Sequence, residues 1–172
     1  MEGTADDLLN AFVQEWRRQR PDLDFAAMEV TARVVHLSAL IQRAWSAAAT
    51  DFDLGTAALQ ALLALRRVGP PFELTPTDLC RESFLSSGGM TQLLDRLESR
   101  RLVERAPHPR DRRGLLVRLT PEGLGLADEA VARRLAGAQA IVAGLNASEQ
   151  QTLVSLLQTL LGSAETVARG TP

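Results

Sequence analysis

Arg96, Arg110, Arg112 and Arg113 lie close together in sequence, and Gln92 sits one helical turn before the first of them. These side chains suit the recognition of a polyanion. A guanidinium is a planar fork that grips phosphate or guanine, and Gln matches the hydrogen-bonding edge of adenine. Thr91 suits a thymine methyl or a phosphate. Ahead of them runs Ser86-Ser87-Gly88-Gly89, a small-residue helix start whose backbone N–H groups can come close to an anion. The 172-residue chain carries a formal net charge of −2. Yet eight of its 19 basic residues fall between Arg96 and Arg118, against Glu98, Glu104 and Asp111, a local balance of +5. A basic patch on a slightly acidic protein points one face at nucleic acid.

The rest of the composition offers little for catalysis. Two His and one Cys supply no metal-ligand spacing, no Gly-rich phosphate loop follows a strand, and no nucleophile–base order stands out. The chain therefore reads as a binding protein, not an enzyme, with no cofactor and no metal. A single Cys80 fits a reducing compartment. No apolar run nears the ~20 residues of a membrane span, so a cytoplasmic protein without membrane contact is expected. Aromatics are only 4% and Tyr is absent, which calls for an aliphatic core and favours helices.

Hydrophobic spacing and caps place the elements. Leu8, Leu9, Phe12, Val13 and Trp16 make an amphipathic helix over 5–19, stopped before Pro21. A longer helix covers about 24–49, with an apolar arc wide enough to be buried on two sides. A third spans about 57–68 and ends at Gly69-Pro70-Pro71. Thr75-Pro76-Thr77-Asp78 is a strong helix start, and that helix lasts to about 84. The next runs from Ser86 or Ser87 to about 100, with Met90, Leu94 and Leu97 inward and Ser87, Gly88, Thr91, Gln92, Asp95 and Arg96 on the wet edge. Residues 102–105 and 115–119 are short strands joined by a turn. Thr120-Pro121-Glu122 opens a helix to about 144, and Asn146 with Glu149 opens the last. The expected fold is mainly α with a small β-hairpin: a winged helix-turn-helix lobe (51–122) between N-terminal helices (1–50) and C-terminal dimerisation helices (123–172). The end helices have too little core of their own, so a two-fold homodimer is expected.

Thr75-Pro76, Ser86 to Thr91, Asp95-Arg96-Leu97-Glu98, Leu102 to Arg105, Asp111-Arg112-Arg113 and Leu119 to Gly123 occur in an order and spacing that resemble the multiple-antibiotic-resistance regulator (MarR) family of bacterial transcription factors. The likeness covers roughly residues 30–165. It implies a regulator bound to a pseudo-palindromic DNA operator, with Arg113 inserted into the minor groove, Asp111 bracing it, and Arg110 and Arg112 on phosphates. Trp16-Arg17-Arg18-Gln19-Arg20-Pro21 resembles the extra helix of a urate-responsive branch. On that likeness Trp16, Gln60, Leu93 and Arg105 take the positions of the branch's ligand residues. Gln60 replaces its acid and Leu93 one of its arginines, which argues against urate and leaves a small anionic or aromatic effector.

Several residues admit two readings. Trp16 suits a flat ligand or simple packing, and Arg105 an anionic ligand or a strand anchor. His36 could titrate near a subunit contact or be an ordinary core or surface residue. Cys80 is a redox switch only as an exposed thiolate, and otherwise a small buried residue. The competing expectation for the whole chain is a dimeric ligand-binding or protein-interaction module that does not bind DNA.

Overall fold

The structure, a computed structural model, describes residues 4–83, 87–109 and 114–170. In chain order the elements are α1 (Ala5–Gln19), α2 (Ala26–Thr50), α3 (Thr56–Arg67), β1 (Glu73–Leu74), α4 (Pro76–Ser83), α5 (Ser87–Ser99), β2 (Val103–Pro107), β3 (Leu115–Leu119), α6 (Pro121–Val142) and α7 (Ala147–Ala168). Residues 1–130 and 131–172 form two compact units.

Cap chemistry sets the helix starts. The Asp7 N–H donates to the Thr4 hydroxyl at 3.2 Å, and the Thr4 N–H donates back to the Asp7 carboxylate at 2.7 Å. The Thr4 hydroxyl also donates to the Asp7 carboxylate at 2.7 Å; that bond first, and then the Thr4 N–H, holds the Asp7 carboxyl below its ordinary range. Thr75 serves α4 in the same way, receiving the Asp78 N–H at 3.2 Å and donating its own hydroxyl to the Asp78 carboxylate at 2.6 Å. Asn146 and Glu149 form the reciprocal pair at α7.

The sheet has three antiparallel strands in the order β1-β3-β2, one more than the expected hairpin. β2 and β3 pair from Val103↔Leu119 to Pro107↔Leu115, and β1 adds Glu73↔Arg118 and Leu74↔Val117. Two residues cannot show an alternating pattern, so β1 is visible only through its distant partner. Arg118 holds it there: its guanidinium meets Glu73 at 2.6 Å and Glu104 at 3.7 Å.

The main core of the first unit joins α3, α4, α5, the sheet and α6. Leu62, Leu65, Leu79, Leu97 and Val117 are fully buried there, with Met90 and Leu94 nearly so. α1 and α2 make a smaller contact, in which Val13 is buried and Trp16 stacks on the buried Phe25 with ring centroids 6.4 Å apart. Within the single chain the wide arc of α2 is not covered: Val34, Val35, Leu37 and Leu40 stay exposed. The second unit holds the end of α6 and α7. α7 has no buried residue, and Leu156, Leu161 and Val167 are 58%, 62% and 77% exposed.

One backbone junction fixes where α6 leaves the sheet. The Leu102 carbonyl accepts the Thr120 N–H at 3.2 Å, while the Thr120 hydroxyl donates to the Arg101 carbonyl at 2.6 Å and caps Gly123. A Cβ on Gly123 would stand 1.9 Å from the Leu102 carbonyl oxygen, so only glycine fits. Gly123→Ala is expected to cost about 2–5 kcal/mol, as overpacking against immovable backbone does. Gly125→Ala, where a Cβ meets open space, should instead stabilise by roughly 0.5–1 kcal/mol. Urea denaturation of the two variants measures both, and equal midpoints would refute the close approach.

Candidate nucleic-acid interface

α4 and α5 are the two helices of the helix-turn-helix, joined through residues 84–86, which lie outside those described. α5 is two-sided. Met90, Leu94 and Leu97 plug into the core, whereas Gly88, Thr91, Gln92, Asp95 and Arg96 are exposed along the opposite edge. This is the division expected from the spacing. The helix ends with Arg101 at φ 57°, where Leu102 donates to the Leu97 carbonyl and Arg101 to the Glu98 carbonyl, both at 2.9 Å. That bonding closes a helix in the left-handed turn usually given to glycine. Leu97 and Leu102, both buried in the core, supply the apolar contact that accompanies it.

The arginines of the basic segment divide by role. Arg105, on β2, reaches α5 with both ends of its fork: one nitrogen meets Asp95 at 2.6 Å and another Glu98 at 2.5 Å. These bonds, with Asp95 first, raise the Arg105 pKa further, against a smaller opposing effect of burial. Arg100 donates to the Phe52 carbonyl at 3.2 Å and to the Asp53 carbonyl, and so tethers the end of α5 to the α2–α3 turn. Arg118 belongs to the sheet. Arg96 has no ion-pair partner among the described residues and stands exposed beside Gln92. Local charge counting treats these residues alike; the fold uses three of them as internal ties.

At the loop end of the hairpin, just past Pro107↔Leu115, the His108 N–H donates to the Gly114 carbonyl at 3.0 Å. Its tip residues Arg110, Asp111, Arg112 and Arg113 lie outside the described residues, as does Ser86. Ser87 is the first residue of α5.

A cavity of about 460 Å³ opens beside α5. Leu54, Ala57 and Ala58 form one wall, Leu93 and Leu97 another, and Gln92, Arg96 and Arg100 supply polar groups. Of the four residues named as a ligand set, Leu93 lines this cavity. Trp16 rests on Phe25, Gln60 is half-buried on α3, and Arg105 is clamped between its two carboxylates. His36 is half-buried on α2, and its Nε2 is buried without a hydrogen-bond partner among the described residues. Cys80 is half-buried against the core. Among the described residues no helix is long and apolar enough to cross a membrane.

The family likeness places Leu93 in a ligand site, but the residues by themselves show neither the clamp nor the cavity's walls. The clamp had a faint signal: Asp95 and Glu98 share one helical stripe, and Arg105 follows on the next element. The cavity had none, because its walls come from positions some forty residues apart.

Comparison with known proteins agrees with this architecture. Residues 52–114 match the model of the MarR family. The chain is 32% identical over 145 residues to the HTH-type transcriptional regulator PecS of Dickeya dadantii, covering 84% of this chain and 87% of PecS. It is 33% identical over 113 residues to the multiple antibiotic resistance protein MarR of Salmonella typhimurium, covering 65% and 76% of the two chains. A crystal structure of a mutant E. coli MarR complexed with operator DNA superposes with a TM-score of 0.62 at 30% identity, over 80% of this chain and 97% of that one.

The two edges of α5 should respond differently to truncation. Leu97→Ala removes a fully buried side chain and is expected to cost about 2–5 kcal/mol of stability. Gln92→Ala, on the exposed edge, should stay within about 0.5 kcal/mol of the parent. Chemical denaturation followed by circular dichroism distinguishes the two; a large loss at Gln92 would mean that its edge is structural.

Proposed function

The chain belongs to the MarR family, and we propose that it regulates transcription as a homodimer whose two α5 helices enter successive major grooves of a pseudo-palindromic operator. It is a DNA-binding regulator and not an enzyme. The observation that carries the reading is the division of α5: an apolar edge locked in the core, and an outer edge offering Gln92 and an Arg96 with no ion-pair partner among the described residues. Gly88 allows close approach to phosphate, Thr91 and Gln92 meet base edges, and Arg96 forks onto guanine or phosphate. Ser86 and Ser87 contact the backbone at the helix start. In the wing, Arg110 and Arg112 meet phosphates, and Arg113, braced by Asp111, enters the minor groove. The exposed apolar stripes of α1, α2 and α7 are what a second copy would cover. Two-fold symmetry then spaces the recognition helices by about 34–36 Å, one turn of duplex. Binding over a promoter represses it, in the cytoplasm where the chromosome lies.

A small anionic or aromatic effector modulates that binding. The cavity beside α5 supports this: its apolar walls suit a flat body, and Arg96 and Arg100 suit an acid group. Gln92 and Arg96 belong both to the cavity and to the exposed edge of α5. An anion held there prefers a state in which Arg96 is turned from DNA, and that preference is what shifts the equilibrium. The urate-responsive likeness also names Trp16, Gln60 and Arg105 as ligand positions; all three lie outside this cavity, with Trp16 on Phe25 and Arg105 paired to Asp95 and Glu98.

Fluorescence anisotropy with a duplex from the chain's own upstream region should show tight binding that weakens steeply with salt. Arg96→Ala should cost about 1–3 kcal/mol of that affinity, and Arg113→Ala should weaken it with the dimer intact. No salt-dependent binding by the parent protein would refute the DNA-binding reading.

Among small aromatic carboxylates, an effector at ~100 times its Kd should stabilise the free protein by about 2.7 kcal/mol and release the duplex. Ala57→Phe, which fills the cavity, should abolish both responses and spare DNA binding. An undiminished response in that variant would place the effector elsewhere.

A further inference from the structure

The exposed edge of α5 carries a group that opposes its proposed task. Asp95 follows Gln92 by three residues on that edge, its side chain is 59% exposed, and Glu98 follows one turn on at 41%. Carboxylates on a DNA-facing helix repel phosphate. Both are taken by one cation from another element: Arg105 of β2, only 24% exposed, spends separate nitrogens on them at 2.6 and 2.5 Å. A fork that reaches two acids one turn apart has a geometry that Lys, with its single charged nitrogen, cannot reproduce.

We infer that Arg105 is a positioning residue for DNA recognition, which masks the Asp95 and Glu98 carboxylates on the DNA-facing helix and so lets α5 approach phosphate. The inference rests on the DNA-binding reading above. It assigns Arg105 no contact with DNA. Its contribution lies in cancelling negative charge beside Arg96, at a place where the duplex field is strong. A tie between β2 and α5 that served stability alone would be indifferent to whether its partners are charged once the tie is gone. A charge mask is not indifferent, and the two roles therefore separate in experiment.

The test compares four folded proteins by anisotropy on the same upstream duplex: the parent, Arg105→Ala, Arg105→Ala with Asp95→Asn and Glu98→Gln, and Arg105→Ala with Glu82→Gln and Glu122→Gln. The last two carry equal net charge. Arg105→Ala should bind at least ~10-fold more weakly at about 0.05 M salt, and the deficit should shrink as salt rises to roughly 0.2 M and screens the exposed charges. Neutralising Asp95 and Glu98 should return affinity to within about threefold of the parent, although the tie is still absent. The control pair should not. Failure of that rescue, equal rescue by the control pair, or a deficit independent of salt each overturns the inference. Should Arg105→Ala prove poorly folded, Arg105→Met keeps the apolar stem and carries the same comparison. A parent protein that binds no duplex at all brings down the DNA-binding reading itself, a result separate from any of these.

Discussion

The structure depends on holding α5 by one edge only. Met90, Leu94 and Leu97 occupy the same core as Leu62, Leu65 and Val117, so the helix cannot roll without opening that core. Buried aliphatic side chains of this size are each worth a few kcal/mol, far more than any exposed ion pair. The core therefore sets the depth of the helix, and the polar ties set its finer angle. Arg100 fastens its end to the α2–α3 turn, and Arg105 fastens its middle to β2. Both ties are partly exposed, so each adds direction more than stability.

This arrangement explains which parts of the molecule could be read from the residues. The inner edge of α5, the Thr75 and Asn146 caps and the turn of Thr120 into α6 are local, because spacing of three or four residues and a capping side chain define them within one helical turn. β1 was missed because two residues have no period. The role of Arg105 stayed open between ligand and anchor because its partners lie seven and ten residues back, on another element. In the structure Arg105 is paired with Asp95 and Glu98. Counting charge along the chain found the right region but could not separate arginines consumed in ion pairs from those left for a partner.

Exposed apolar surface tells the same story from the other side. The arc of α2 suggested burial on two faces, yet in one chain Val35 is 70% exposed, and α1 lies along the start of α2, with Trp16 on Phe25, Arg17 on Glu29 and Asp6 on Arg33. Five aliphatic residues of one helix left in water, Val30 with Val34, Val35, Leu37 and Leu40, are costly for a monomer and ordinary for a subunit. α7 repeats the pattern within its own unit. Periodicity identifies such a face correctly but is silent on whether the covering surface comes from the same chain, since the hydrophobic effect is blind to connectivity.

The economy of the proposed regulator follows from where the cavity lies. Long-range coupling needs an element with two discrete arrangements that both ligands bias. Here the cavity wall and the DNA-facing edge share Gln92 and Arg96, so the element common to both sites is a pair of side chains on one rigid helix. A side chain changes rotamer at a cost on the order of 1 kcal/mol, whereas tilting α5 would disturb a packed core. An effector acting through Arg96 thus needs only a modest difference in affinity between the two rotamers to change DNA binding about tenfold, since 1.4 kcal/mol suffices. Reorienting the whole helix would require the ligand to offset core packing as well. On the proposed reading, the dense interior that fixes α5 leaves its surface arginine as the softest place at which to control it.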